Sequence, residues 1–142
     1  MSAEVPLDET EFGRWRAEAD RALAGARAQG DLGLHNWACF GAEQGAQLAL
    51  KGLLHGIGGA PWGHDLVELG RSAAEAGLPL PPDVVSALNR LGRHYIPARY
   101  PDAHPSGQPG QHYGEADAAD AFHDATSILG WVDGQWEALR GA

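Results

Sequence analysis

The segment from about Leu32 to Leu54 constrains the fold more than any other. Ala38, Gly41, Ala42, Gly45, Ala46 and Ala49 crowd into it at helical spacing, so a helix built here is unusually thin. Trp37, Phe40, Leu48 and Leu54 supply the bulk it has. Each glycine costs about 1 kcal/mol against alanine inside a helix, so close packing must offset the loss. A thin helix lets neighbouring backbones approach, which predicts that this one is central to a bundle.

The rest of the chain supplies the neighbours. Asp8 followed by Glu11 has the form of a capping box and predicts a helix start. Phe12, Trp15, Ala19, Ala22 and Ala26 then recur at helical spacing to about Gln29, and Gly30-Asp31 breaks the pattern. Gly56 to Pro61 is expected to turn. A short helix is predicted from about Gly63 to Ala76, with Leu66, Leu69 and Ala73 inward and His64 as its cap. The next is predicted from about Pro82 to Tyr95, with Val84, Leu88, Leu91 and Tyr95 on one stripe, ended by Pro97. Tyr100 to Gly114 holds three prolines and three glycines and is expected to be irregular. The closing helix, from about Glu115 to Leu139, has the cleanest period, in Ala118, Ala121, Phe122, Ala125, Ile128, Leu129, Val132 and Trp136. No alternating strand pattern and no internal repeat are present. The expectation is an all-α, up-and-down helical bundle of four main helices plus one short helix. A chain of 142 residues suits a single domain, 1–142, with its core over about 9–140.

Composition narrows the setting. The lone Cys39 excludes an internal disulfide and is read as a small buried hydrophobe beside Trp37 and Phe40. The first residues lack a basic stretch followed by an apolar one, so no signal peptide is expected. No apolar run approaches the ~18 residues that cross a bilayer. A cytoplasmic location away from membranes is the expectation. A net charge of −9 argues against a broad basic face for nucleic acid. Yet from Arg90 to His112 three arginines and three histidines face a single acid, Asp102. One locally cationic site on an acidic body suits a phosphate-bearing ligand or a short stretch of RNA.

That site centres on Arg93 to Pro105, RHYIPARYPDAHP. RNA is cleaved without metal when a base takes the ribose 2′-OH proton, the oxygen attacks phosphorus, and an acid protonates the leaving 5′-oxygen. Histidine suits the acid or base role, because its ordinary pKa of about 6.5 lies near working pH. A planar arginine fork stabilises the charge that builds on the phosphoryl oxygens. Arg99 and His104 supply one of each, and Tyr100 to Ala103 can turn so that both face one phosphate. Asp102 either orients His104 or closes the turn. Arg-x4-His alone is a weak pattern that arises by chance, and Arg99 paired with an acid and His104 in solvent is the plain alternative. Glu43, Gln44, Gln47 and Lys51 form one polar stripe on the thin helix. It is read as a solvated face or dimer contact, with Lys51 and Gln44 as candidate contacts to phosphate or base. Tyr95 is read as core and Tyr100 as able to stack on a base. His94, His104 and His112 lack metal-ligand spacing, so neither metal nor cofactor is expected.

Trp37-Ala38-Cys39-Phe40, Glu43-Gln44 with Gln47 and Lys51, His64-Asp65-Leu66, and Leu91 through Pro97 leading into Arg99-Tyr100-Pro101-Asp102 occur in an order that resembles the HEPN family. These are small helical bundles named for a higher-eukaryote and prokaryote nucleotide-binding domain. The resemblance covers about residues 12 to 136. It implies a homodimer with a site in the cleft between copies. It also implies an Arg-x4–6-His motif for metal-independent RNA cleavage, and pairing with a small nucleotidyltransferase as a toxin–antitoxin system. On that motif Arg99 is the arginine and His104 the histidine, with Arg93, His94, Tyr100 and Asp102 flanking the substrate. Tyr100 stands where active relatives often carry a small polar residue, and Gln47 where the family usually has an acid, with Glu43 nearby. The alternative implied is a non-catalytic module that binds a nucleotide or a partner protein.

Overall fold

The computed structural model describes residues 6–142 and is all-helical, with no strand among them. Of the opening residues 1–12 considered for a leader, 1–5 lie outside the described residues. Five α-helices follow in order: α1 (Glu9–Asp31), α2 (His35–Gly56), α3 (Leu66–Glu75), α4 (Pro82–Gly92) and α5 (Glu115–Arg140). Two 3-10 turns, Pro101–Ala103 and Pro109–His112, lie between α4 and α5. None of the described helices is long and apolar enough to cross a membrane.

The thin helix is central, as its sequence predicts. α1 packs along it antiparallel, and α5, α3 and α4 complete the surroundings. The antiparallel register follows from the glycines. A Cβ at Gly41 would lie 2.8 Å from the Cβ of Ala26, one at Gly52 2.8 Å from that of Trp15, and one at Gly56 2.5 Å from the Trp136 ring. Gly41 and Gly52 have no room for a side chain, so the α1 and α2 backbones close on each other, while Gly56 makes room for Trp136 of α5. The Asp8 N–H also donates to Gly56 O at 2.8 Å, tying the start of α1 to the end of α2. Leu50, Leu53, Leu66, Leu69, Leu88, Leu91, Ile128 and Val132 fill one core, in which Phe12 and Trp136 stack at 4.1 Å. Cys39 is buried there, and burial pushes its thiol up to about 12.

Several local expectations change. Asp8 caps α1 through the Glu11 N–H, but the Glu11 carboxylate accepts from Trp15 Nε1 instead of closing the box. α3 starts at Leu66 and is capped by Asp65, whose Oδ1 accepts from Val67 and Glu68 N–H; His64 is not the cap. A carboxylate reaches two orphan amides that a histidine ring one residue earlier cannot. α4 stops at Gly92, three residues before Tyr95, because Pro97 disfavours helical geometry at Ile96 and clashes one turn back. Trp37 is 41 % exposed and does not serve the core.

Candidate functional site

After α4 the chain descends through consecutive turns, with His94 N–H bonded to Leu91 O and Arg99 N–H to Ile96 O. Asn36, at the start of α2, donates its amide to Ala98 O at 3.0 Å and pins this segment to the central helix. Two groups of candidate side chains emerge from it, each with its own partners.

The first surrounds Arg99. Its Nε donates to Tyr95 O at 2.8 Å. Its guanidinium carbon lies 4.4 Å from the Phe40 ring centre, 4.5 Å from Tyr95 and 4.9 Å from Tyr100. Three ring faces hold the cation by their quadrupoles. Its terminal nitrogens make no hydrogen bond among the described residues, and no carboxylate pairs with it there. The rings continue outward, with Trp37 edge-on to Phe40 at 6.2 Å and His64 stacked on Tyr95 at 5.4 Å. Trp37 and Tyr100 are both substantially exposed.

Behind this platform sits Glu43, fully buried. Gln44 Nε2 donates to one carboxylate oxygen at 2.9 Å and Gln47 Nε2 to the other at 2.7 Å. Gln47 Nε2 also donates to His64 O, and its Oε1 accepts from His64 Nδ1 at 3.3 Å. Burial pushes the Glu43 carboxyl up to about 7, against the opposing pull of the two amides, Arg99 and Lys51. The polar stripe is therefore not a solvated face at Glu43 and Gln47, while Gln44 and Lys51 are half-buried. A central helix has no free face, so its polar side chains must find partners inside the protein.

The second group surrounds His104, whose Nε2 bonds Pro97 O at 2.7 Å. His112 Nε2 bonds Ser106 O at 2.7 Å, and the two rings stack in parallel at 4.3 Å. A carbonyl only accepts, so each Nε2 carries its proton, and neither Nδ1 makes a hydrogen bond among the described residues. Both rings line a cleft of about 300 Å³ with Arg93, His94, Tyr113 and Asp117. His94 is buried and its Nδ1 bonds Tyr113 Oη at 2.9 Å. Burial, with Arg93 adding to it, lowers the His94 pKa, while burial raises that of Tyr113 to about 12. Arg93 and His94 also border a neighbouring cleft of about 280 Å³ that runs to Asp120 and His123 between α4 and α5.

Asp102 is exposed in the 3-10 turn and makes no bond to His104; the ring is held by Pro97 O and His112 instead. Arg99 and His104 are thus held by separate sets of partners. His112 as the stacking partner and Phe40 as part of the arginine cage were not visible in the motif spacing. The one available signal was Tyr95, one turn before Arg99. No group of three His, Cys, Asp or Glu able to hold a metal occurs among the described residues.

A helical bundle whose loop before the last helix carries an arginine on an aromatic platform and a histidine in a cleft defines the class. The family model described as HEPN domain matches residues 12–135, and the chain belongs to that family. TT1696 from Thermus thermophilus has a similar solved structure. It shows 38% identity and a TM-score of 0.84, over 88% of this chain and 98% of that one. ST0689, an archaeal HEPN homologue, shows 36% identity and a TM-score of 0.73 over 88% and 97%. A HEPN domain protein from Thermotoga maritima shares the fold at 22% identity and a TM-score of 0.70, over 87% and 98%. No curated protein matches the chain.

Proposed function

We propose that this protein binds single-stranded RNA across the loop between α4 and α5 and cleaves it without a metal. The observation that carries the reading is the hydrogen bond from His104 Nε2 to Pro97 O, which leaves Nδ1 as the proton-transfer atom. His104 Nδ1 takes the 2′-OH proton or delivers one to the leaving 5′-oxygen. Arg99, with terminal nitrogens unengaged, grips phosphate, and the exposed rings of Tyr100 and Trp37 offer base-stacking faces. Gln44, bonded to Glu43, and Lys51, both half-buried on α2, are the remaining candidate contacts to phosphate or base. Exposed Leu34 and Ile96 support a homodimer in which two copies of the loop share one cleft. The family resemblance adds a nucleotidyltransferase as partner in a toxin–antitoxin pair.

The test is incubation of purified protein with RNA in EDTA, comparing wild type, Arg99→Ala and His104→Ala. Wild-type cleavage lost in His104→Ala supports the reading; intact RNA with wild type, or undiminished cleavage by both variants, ends it. A second reading, a non-catalytic nucleotide- or partner-binding module, draws on the three-ring cage that already occupies Arg99. Saturable nucleotide binding without cleavage is its signature.

A further inference from the structure

We infer that Glu43 is a buried proton switch behind the Arg99 platform. When its carboxyl takes up a proton, the Gln44 amide turns over, Arg99 and Lys51 lose their counter-charge, and the platform binds anions more tightly. The inference concerns anion binding alone. It stands whether or not the bound anion is cleaved, and whether one copy of the chain or two supply the surface.

The placement of the carboxyl carries the first part. Glu43 is fully buried on α2, three residues after Phe40, whose ring centre lies 4.4 Å from the Arg99 guanidinium carbon. The charges that bear on Glu43 are both cations, Arg99 and Lys51. His64 reaches it only through Gln47. α1 meets this stretch of α2 with Ala19, Leu23 and Ala26. The buried carboxylate of α5, Asp124, is occupied by Arg90 at 3.1 and 2.8 Å. Arg99 is in no salt bridge among the described residues, so the ionised Glu43 is what offsets its field. An anion arriving at Arg99 meets that negative charge behind it, and a neutral carboxyl removes the opposition.

The hydrogen bonds carry the second part. An ionised carboxylate only accepts, and both oxygens of Glu43 do so, from Gln44 Nε2 at 2.9 Å and Gln47 Nε2 at 2.7 Å. A protonated carboxyl must donate through one oxygen, so one of the two amides must turn its carbonyl inward. Gln47 is fixed at both ends, with Nε2 also on His64 O at 2.9 Å and Oε1 on His64 Nδ1 at 3.3 Å. Gln44 has no other side-chain bond among the described residues, so Gln44 turns. The proton from solvent sits on Glu43 Oε1, Gln44 Oε1 accepts it, and Gln44 Nε2 is freed with both its N–H groups. Both states are fully bonded at the carboxyl, which makes the pair a two-position element. Burial places the titration at about 7, so the switch works near neutral pH. Linkage makes the effect reciprocal: an anion that favours the neutral carboxyl must raise its pKa in turn.

Two measurements on the full chain test the switch, with sulfate as probe because its charge is constant across the window. Sulfate titrations are followed by NMR at the Phe40 and Tyr100 ring resonances, at about pH 5.5 and about pH 8.5. Wild type is expected to bind about 5-fold or more tightly at the lower pH. Glu43→Gln, which holds the neutral form, is expected to bind tightly at both, with only the dependence due to nearby histidines left. Arg99→Ala is expected to lose the response at both. A wild type with no pH dependence, or a Glu43→Gln variant that keeps the whole of it, overturns the inference. The second measurement uses wild type alone and so remains decisive if the variant fails to fold. The Glu43 carboxyl carbon should titrate near 7 and its midpoint should rise with sulfate. The Gln44 side-chain amide should follow the same midpoint while that of Gln47 holds its position. A midpoint unmoved by sulfate, or a turn at Gln47 in place of Gln44, refutes the switch. RNA left intact in EDTA ends the nuclease reading and touches neither of these results.

Discussion

Along the α1–α2 seam, contact depends on what is missing. Gly41 and Gly52 carry no side chain where Ala26 and Trp15 lie within 2.8 Å of where a Cβ would sit. From Arg93 to His112 contact depends on what is present, namely single polar bonds from side chains to carbonyls at Ala98, Tyr95, Pro97 and Ser106. The seam is a matter of volume, shared over many residues. The loop is a matter of individual donors and acceptors, each replaceable at little cost to the fold and, on the proposed function, at high cost to its chemistry. Stability should therefore answer to the seam and reaction rate to the loop.

The largest separation is expected from His104→Ala, which should lower RNA cleavage by about 10²–10⁴-fold. Its effect on the denaturant midpoint should be small, because only one half-buried bond is lost. A large fall in the midpoint would erase the distinction between the two regions. Next is Gly52→Leu, which drives a side chain into Trp15 and should cost about 3 kcal/mol in urea unfolding, with the rate per folded molecule unchanged. A comparable effect belongs to Glu43, which lies where the two regions meet. Its folded pKa, raised from 4.5 to about 7, lies above the unfolded value, so the folded state holds the proton more tightly. The group's contribution is fully present below about pH 4 and is lost as pH rises toward about 7, a span worth on the order of 3 kcal/mol. Thermal unfolding across that window should show stability falling with pH, with the slope reduced in Glu43→Ala. The smallest effect is a gain. Gly25 lies on the exposed side of α1 with nothing within 4 Å of a Cβ, so Gly25→Ala should stabilise by about 1 kcal/mol. A loss there would mean that α1 has a neighbour on that face.

Much of the body was legible in the sequence. Periodicity located five helices, and the run of small residues marked α2 as central. Trp37 misled, because a tryptophan on a thin helix reads as core bulk, whereas here it lies edge-on to Phe40 at the margin of the platform. His64 misled because Asp65 beside it is the better cap. At the site, the motif pair Arg99 and His104 was visible, but its separation was not. A spacing of four intervening residues says that two tips can meet. Whether they do depends on the turn at Pro101–Ala103 and on which rings and carbonyls claim each side chain first.

Helical period and the absence of bulk at Gly41 and Gly45 are local properties, so the sequence by itself determined an all-helical bundle around α2. Burial and orientation of polar groups are not local. Glu43 is buried because four other helices surround α2, and Gln47 bonds His64 across seventeen positions. The loop takes its shape from Asn36, 62 positions away from Ala98. Only the tertiary structure could decide that Arg99 settles on an aromatic platform while His104 opens beside Arg93. Each polar side chain is oriented by the nearest unsatisfied partner in space, and such partners are brought near only when the helices pack.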